Sequence, residues 1–119
     1  MKHVIVTGNG KSGSWKIRGE QLGAAIGAVV MPRDSTHKCE FAIIVKRPEP
    51  RALGNLQASR TPIVWDVVDS WPQPHGNMWD KAACLRWLKG QLDAIRPHAI
   101  VAATLAMAVD IAEVGFKGK

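Results

Sequence analysis

The segment HVIVTGNGKSGSW, residues 3–15, decides the fold class of this chain. Its first five residues, His3–Thr7, are rich in β-branched side chains and end at a glycine, a pattern that is typical of a strand. A loop of the form G-x-G-x-x-G follows, and a helix is predicted from Trp15 to Ile26. In such a βα unit, glycine amides and the helix N-terminus together can hold an anion.

The glycine loop leaves two interpretations open. Asp34 stands at about the spacing of 20 residues at which a dinucleotide-binding fold carries its acidic residue, although the glycine pattern alone is a weak signal. The alternative is a tight βα turn that binds no ligand. The tripeptide Gly10–Ser12 resembles part of a P-loop, but Ile5 occupies the position of the first glycine, so we reject a P-loop.

Strands and helices alternate along the rest of the sequence. Short apolar runs bounded by glycine or proline predict four further strands, and apolar residues at intervals of three and four predict three further helices. The strands are at 28–31, 41–46, 62–68 and 99–103, and the helices are at 50–59, 77–96 and 105–113. This order predicts an α/β fold: a Rossmann-like three-layer sandwich around a mostly parallel five-stranded sheet.

Two helices carry specific boundary and packing signals. Gly19, Gly23 and Gly27 recur every four residues, which predicts close packing of the first helix on the sheet, with Gly27 at the C′ position. Asn77 is the predicted N-cap of the longest helix, with Asp80 at its third helical position.

Composition bounds the possible functions. The 119 residues suit one domain, predicted at 1–114 with a frayed tail at 115–119, and 46% apolar content is that of a globular protein. The formal charge of +6 favours anionic partners or a merely basic surface. Cys39 and Cys84 have no metal-ligand spacing, so neither a metal nor a cofactor is predicted. We find neither a signal peptide nor a membrane span, and therefore expect a cytoplasmic protein without membrane partners.

The candidate ligand residues follow the strands at their carboxyl ends, where open α/β sheets bind ligands. Several are basic and favour a phosphate or another anion. Asp66 and Asp69 form a carboxylate pair, but a spacing of three in an extended segment places them on opposite faces, so no catalytic residue is predicted. The phosphate- or ligand-binding candidates are Gly8, Gly10, Lys11, Ser12, Gly13, Arg18, Lys46, Arg47, Asp66 and Asp69.

Tryptophans are concentrated in the second half of the chain. Trp71, Trp79 and Trp87 are candidates for binding a protein partner, because tryptophan anchors many interfaces. Packing in the core is the commoner explanation for such residues. Base stacking is a third one, but no strand alternates aromatic and basic residues, so nucleic acid is an unlikely partner.

Four segments give the chain a family resemblance: Thr7–Leu22, Val45–Pro48, Trp65–Pro72 and Ala99–Ala108. Through these short motifs, which span nearly the whole chain, it resembles the N-terminal lobe of glycosyltransferase-like proteins that have two Rossmann-like lobes. It is also similar to open reading frames of transposable bacteriophages.

The resemblance implies an acceptor lobe whose partner lobe binds a nucleotide-sugar. The C-terminal lobe of such proteins supplies the glutamate and basic residues that hold the donor diphosphate, and we expect these 119 residues to contain only the first lobe. Because transfer needs both substrates in one cleft, we expect a protein-binding module that is not catalytic alone, and a host protein as its partner if a phage encodes it. The alternatives are the acceptor-binding half of a glycosyltransferase completed by another lobe, and a nucleotide- or phosphate-binding module.

Overall fold

Five parallel strands form the centre of the molecule in the computed structural model, which describes residues 4–8, 13–31, 39–68 and 80–119. Each strand begins within one residue of its predicted start. Their bounds are β1 Val4–Thr7, β2 Val29–Met31, β3 Phe41–Val45, β4 Ile63–Val68 and β5 Ala99–Ala102.

Helices connect the strands much as the sequence predicts. The first helix is unusual, because Trp15–Gln21 is a π-helix that continues into the short α-helix α1, Leu22–Ala25; both together are called the Trp15 helix below. Its C-cap is Ile26, and Gly27 follows at φ 69°, which confirms the predicted C′ glycine. The remaining helices are α2 Pro50–Ala58, α3 Lys81–Ile95 and α4 Leu105–Glu113.

The strand order in the sheet is β2-β1-β3-β4-β5, and every pairing is parallel. Strand β2 lies on one side of β1 in the sheet, and the later strands β3, β4 and β5 follow in order on its other side. This reversal creates a topological switch point between β1 and β3, and open α/β sheets bind ligands beside such a point, at the carboxyl ends of the strands. The predicted Rossmann-like fold with a parallel five-stranded sheet is confirmed.

Helices cover both faces of the sheet, which confirms the three layers. Alternate strand residues point to opposite faces, so β1, β3 and β4 contribute to two separate apolar clusters. The large cluster joins three strands to α2, α3 and α4, and it includes Ile5, Ile44, Trp65, Leu56, Leu88 and Ile111. The small cluster contains Val6, Trp15 and Val45, under the Trp15 helix.

The glycine spacing of the first helix serves close packing, as predicted. A Cβ on Gly23 would lie 2.6 Å from Cγ2 of Val30, and a Cβ on Gly19 would lie 2.5 Å from the indole ring of Trp15. Distances this short exclude a side chain at either position unless its neighbours move. Gly23 therefore brings the helix onto the sheet, and Gly19 makes room for the tryptophan of the same helix.

The predicted start of α3 differs from the structure. The N-cap of α3 is Asp80, whose carboxylate accepts a hydrogen bond from the backbone N–H of Ala83, so the prediction that Asn77 caps the helix is wrong. Asp80 has an extended backbone, with φ −128° and ψ 106°, and it satisfies an otherwise unpaired amide of the first turn.

The tail is attached to the sheet at its last residue. The Lys119 N–H donates to the carbonyl of His98, and the Lys119 carbonyl accepts from the N–H of Ile100. These bonds place Lys119 parallel to the outer edge of β5, where the sequence predicts a frayed end. Pairing at this position satisfies backbone groups that an edge strand otherwise leaves to solvent.

In the segments that the structure describes, no helix combines the length and apolar character that crossing a bilayer requires.

Candidate functional site

The carboxyl ends of the strands form the edge at which the sequence predicts a ligand. At this edge β1 ends at Thr7, whose side chain is fully buried and points to the face of the large cluster, like that of Ile5. Among the described residues, the Oγ1 atom of Thr7 has no hydrogen-bond partner. A buried hydroxyl without a partner costs free energy, so the switch point contains a polar atom whose hydrogen-bonding capacity is unsatisfied.

Arg18 and Asp66, both predicted to bind a ligand, bind each other. Arg18 Nε donates to Asp66 Oδ2 at 2.7 Å and Arg18 Nη2 donates to Oδ1 at 3.2 Å, which is a two-pronged ion pair. The Asp66 side chain is 4% exposed and that of Arg18 is 35% exposed. The hydrogen bonds to Asp66, followed by the charge of the carboxylate, raise the pKa of the Arg18 guanidinium.

The ion pair ties the Trp15 helix to the end of β4. Asp66 also accepts a hydrogen bond from the backbone N–H of Val68 at 3.2 Å, where the pairing of β4 with β5 shifts its register. Each carboxylate oxygen therefore has at least one donor. This arrangement holds Asp66 as a structural anion and leaves it poorly placed as a general base.

Only part of the predicted glycine loop lies within the described residues, which exclude Gly10, Lys11 and Ser12. Gly8 is buried, and a Cβ there would lie 2.8 Å from the Trp15 ring and 3.0 Å from the Val45 carbonyl oxygen. Gly13 is exposed and has open space where a Cβ would be. The requirement for glycine at position 8 thus arises from the tryptophan packed against it, a contact that the glycine pattern does not reveal.

The two basic residues after β3 differ in their surroundings. Lys46 has a left-handed backbone at φ 62°, and its carbonyl accepts a hydrogen bond from Trp65 Nε1 at 2.9 Å. Arg47 is exposed. Both residues are at the predicted edge, beside β4, and their role in anion binding stays a prediction.

Trp87 is the one predicted partner-binding tryptophan within the described part of the chain. It is half-buried and packs against the large cluster. Much of the Trp87 side chain is thus in contact with the core, which agrees with the core-packing interpretation. Trp71, Trp79 and Asp69 are outside the described residues.

An open groove of about 580 Å³ runs beside the start of α4 at the same edge. It is called the α4 groove below, and apolar atoms dominate its walls. Leu105 is 81% exposed and Val109, one turn further on, is 56% exposed. The residues that line it are Lys81, Thr104, Leu105, Ala106, Met107, Val109 and Asp110.

Polar contacts fix the shape of the α4 groove. Thr104 Oγ1 accepts from the Met107 N–H at 3.2 Å and caps α4. Lys81 Nζ contacts Asp110 Oδ1 at 2.9 Å, which joins the start of α3 to α4 across the groove. The hydrogen bond to Asp110, and next the charge of that carboxylate, raise the pKa of Lys81.

Sequence reasoning missed the α4 groove, although a signal was present. Seven of the nine residues of α4 are apolar, which is more than one buried stripe requires. The unpaired hydroxyl of Thr7 and the pairing of Arg18 with Asp66 had no comparable signal, because each depends on residues brought together by the fold.

No group of three or more histidine, cysteine, aspartate or glutamate side chains in the described segments is arranged to hold a metal ion. Comparisons with protein-family models, with curated proteins and with solved structures find no match to this chain.

Proposed function

We propose that this chain is a single Rossmann-like lobe that acts by binding another protein and does not catalyse a reaction alone. The α4 groove is its docking surface, and the partner presents an apolar side chain or helix to it. The observation that carries the proposal is the exposure of Leu105 and Val109 on one face of α4. Exposed apolar surface of this kind marks interaction sites in soluble proteins.

The composition of α4 supports this function. A helix that is apolar on nearly every side is usually buried on nearly every side. In this chain Met107 and Ile111 fill the large cluster, while Leu105 and Val109 face outward. Covering these two side chains would contribute roughly 1.5–3 kcal/mol for each of them when it is fully buried.

The place of the α4 groove agrees with the resemblance to two-lobed glycosyltransferase-like proteins. The groove is at the carboxyl edge of the sheet, the side on which a second lobe would close over a ligand in such a protein. At the same edge Arg18 neutralises Asp66, a described acid that could otherwise act as a base. An apolar surface at the same edge of the sheet as a neutralised carboxylate favours recognition over proton transfer. If a transposable phage encodes the chain, the partner is a host protein whose activity it modulates.

Capture of a partner tests this function when paired variants are used. Leu105→Asp combined with Val109→Asp should abolish retention of the bound protein, because two carboxylates would be desolvated in the interface. Aspartate in the first turn of a helix is favourable, so Leu105→Asp should fold. Gly54→Asp is a control that adds one carboxylate away from the α4 groove, since Gly54 is exposed and its side chain would meet open space.

Affinity purification from host lysate followed by mass spectrometry identifies the proteins that each variant retains. The proposal predicts one protein that the wild type and Gly54→Asp retain and that the double variant loses. Equal retention by all three proteins, or no retained protein at micromolar concentration, contradicts it.

A second candidate function, binding of a nucleotide or phosphate at the switch point, is favoured by the unpaired Thr7 hydroxyl. Calorimetric titration with uridine and adenosine diphosphates tests it. Binding that Thr7→Val abolishes would support this candidate, because valine keeps the shape and removes the hydroxyl. A flat titration, with Thr7→Val at least as stable as the wild type, would remove it.

A further inference from the structure

An open cavity of about 350 Å³ lies at the opposite edge of the sheet, where β4 and β5 begin. The C-terminal ends of α2 and α3 meet there, and the cavity is far from the strand ends that carry the predicted ligand residues. Three of the residues around it, Arg60, Arg96 and His98, carry guanidinium or imidazole side chains. None of the described residues that line it carries a carboxylate.

Both arginines stand where glycine would be the less costly residue. Arg60 has φ 55° and Arg96 has φ 51°, so each follows its helix with a left-handed backbone. Glycine is the usual residue at this position, and another residue there costs about 1 kcal/mol in backbone strain. The backbone conformation alone therefore does not explain why arginine stands at both positions.

The carbonyl groups at these helix ends have donors other than the guanidinium groups. Gln57 Nε2 donates to the carbonyls of Ala94 at 2.7 Å and Ile95 at 3.2 Å. The backbone N–H groups of Thr61 and Arg96 bond to the carbonyls of Leu56 and Leu92. Because these acceptors are satisfied, they oppose an anion less strongly than bare helix C-termini would.

Within the described residues, neither arginine side chain has a partner. No hydrogen bond or ion pair joins the guanidinium of Arg60 or of Arg96 to any residue in the described part of the chain. By comparison, Arg18 at the other edge is fully engaged with Asp66. The donors of Arg60 and Arg96 are thus available to a ligand.

His98 adds a hydrogen-bond donor at a defined ring nitrogen. Its Nδ1 accepts a hydrogen bond from the Ile63 N–H at 3.3 Å, while its backbone N–H donates to the Ile63 carbonyl at 2.8 Å. Since Nδ1 is an acceptor, the proton of the neutral imidazole is on Nε2. The exposed Nε2–H is then a further donor at the wall of the cavity.

We propose that this cavity, called the amino-edge cavity, binds the phosphoryl group of a small molecule. Each of the two guanidinium groups supplies a fork of donors that matches phosphate oxygens, and the imidazole N–H adds a single donor. A volume of about 350 Å³ is within the range of small-ligand pockets and admits free phosphate or a small phosphate monoester. This site is independent of protein binding at the α4 groove.

Titration followed by ¹H–¹⁵N NMR at constant ionic strength tests the site with two probes, inorganic phosphate and glycerol phosphate. Saturable shifts confined to the surroundings of Arg60, Arg96 and His98 are expected. Tighter binding of glycerol phosphate would identify a monoester as the ligand, and equal or weaker binding would identify free phosphate.

Matched variants separate a built site from diffuse charge. Arg60→Gly and Arg96→Gly should each weaken binding about tenfold or more, which corresponds to about 1.4 kcal/mol. Both variants relieve a left-handed backbone and should be at least as thermally stable as the wild type. Arg86→Ala removes the same charge from an exposed position of α3 and should leave affinity unchanged.

Two results would overturn the inference. One is the absence of saturation with either probe at millimolar concentration. The other is an equal loss of affinity in Arg86→Ala and Arg60→Gly, since that would assign the binding to net charge.

Discussion

Among the residues that the structure describes, twelve buried residues from three strands and three helices share the large cluster on one face of the sheet, whereas three buried residues form the small cluster on the other. The large cluster distributes its packing over many aliphatic side chains. The small cluster depends on one indole ring, Trp15, and on the space that Gly8 and Gly19 leave for it. The two faces of one sheet are therefore stabilised by different means, and they should fail in different ways.

The largest expected effect comes from removing one tryptophan on each face. Trp65→Ala and Trp15→Ala should each cost about 3–5 kcal/mol, because both side chains are almost fully buried. For Trp65, in the centre of the large cluster, the loss should be global. For Trp15 it should be concentrated in the Trp15 helix, which would lose amide protection while β3 and β4 keep theirs.

Hydrogen exchange measured on both variants decides this point. If Trp15→Ala lowers protection equally throughout the sheet, the small cluster is as deeply coupled as the large one and the comparison does not hold.

A smaller effect is expected from adding one methyl group. Gly19→Ala should cost about 1–3 kcal/mol, because its Cβ would lie 2.5 Å from the Trp15 ring. Gly54→Ala, in α2 on the opposite face, meets open space and should stabilise the protein by up to about 1 kcal/mol. Chemical denaturation of both variants measures the two changes, and a neutral Gly19→Ala would show that the indole can shift.

Removing the ion pair of Arg18 with Asp66, which ties the Trp15 helix to β4, should have a still smaller effect on stability. Among the described residues, Arg18→Met leaves the nearly buried Asp66 carboxylate with the Val68 amide as its one donor, and it should cost about 1–2 kcal/mol, reduced by the exposure of the arginine. Lys89→Met is the control. It removes an exposed pair with Asp93 at 3.6 Å and should change stability by less than about 0.5 kcal/mol.

A double-mutant cycle with Asp66→Asn isolates the contribution of the pair. A coupling energy no greater than that of Lys89 with Asp93 would mean that Arg18 holds the Trp15 helix through packing alone.

The smallest expected effect is on alkaline stability. Burial raises the pKa of the Cys39 and Cys84 thiols above their ordinary value of 9.0. The unfolded chain therefore releases these protons first, so their contribution to stability is complete below pH 9 and is lost as the pH rises further. Denaturation at pH 7 and pH 10 should show a smaller decline in a Cys39→Ser, Cys84→Ala variant, and an unchanged decline would argue against this contribution.

The sequence predicts local features where the deciding residues are close together in the chain. Gly27 at C′ and proline at the start of α2 act within one helical turn, and the predicted boundaries of α4 agree with the structure for that reason. The cap of α3 was misassigned because Asn77 and Asp80 are both good N-caps, and the local pattern cannot choose between them.

The residues at the candidate site were predicted as a set, but their contacts were not. Arg18 and Asp66 are 48 positions apart, and the sequence offers them only as a base and an acid near the same edge. Whether two such groups bind a ligand or each other depends on distances of a few ångströms. The pair of arginines at the amino-edge cavity was missed for the same reason, because α2 and α3 bring Arg60 and Arg96 together only in the folded chain.

For this protein, the amino-acid sequence alone determined the alternation of strands and helices, the parallel sheet and most element boundaries, since period and capping are properties of short segments. Tertiary structure alone decided which charges are paired, which glycines make room for an indole, and which apolar side chains stay exposed. These outcomes depend on contacts between distant segments, where packing selects one arrangement among many that the same local pattern permits.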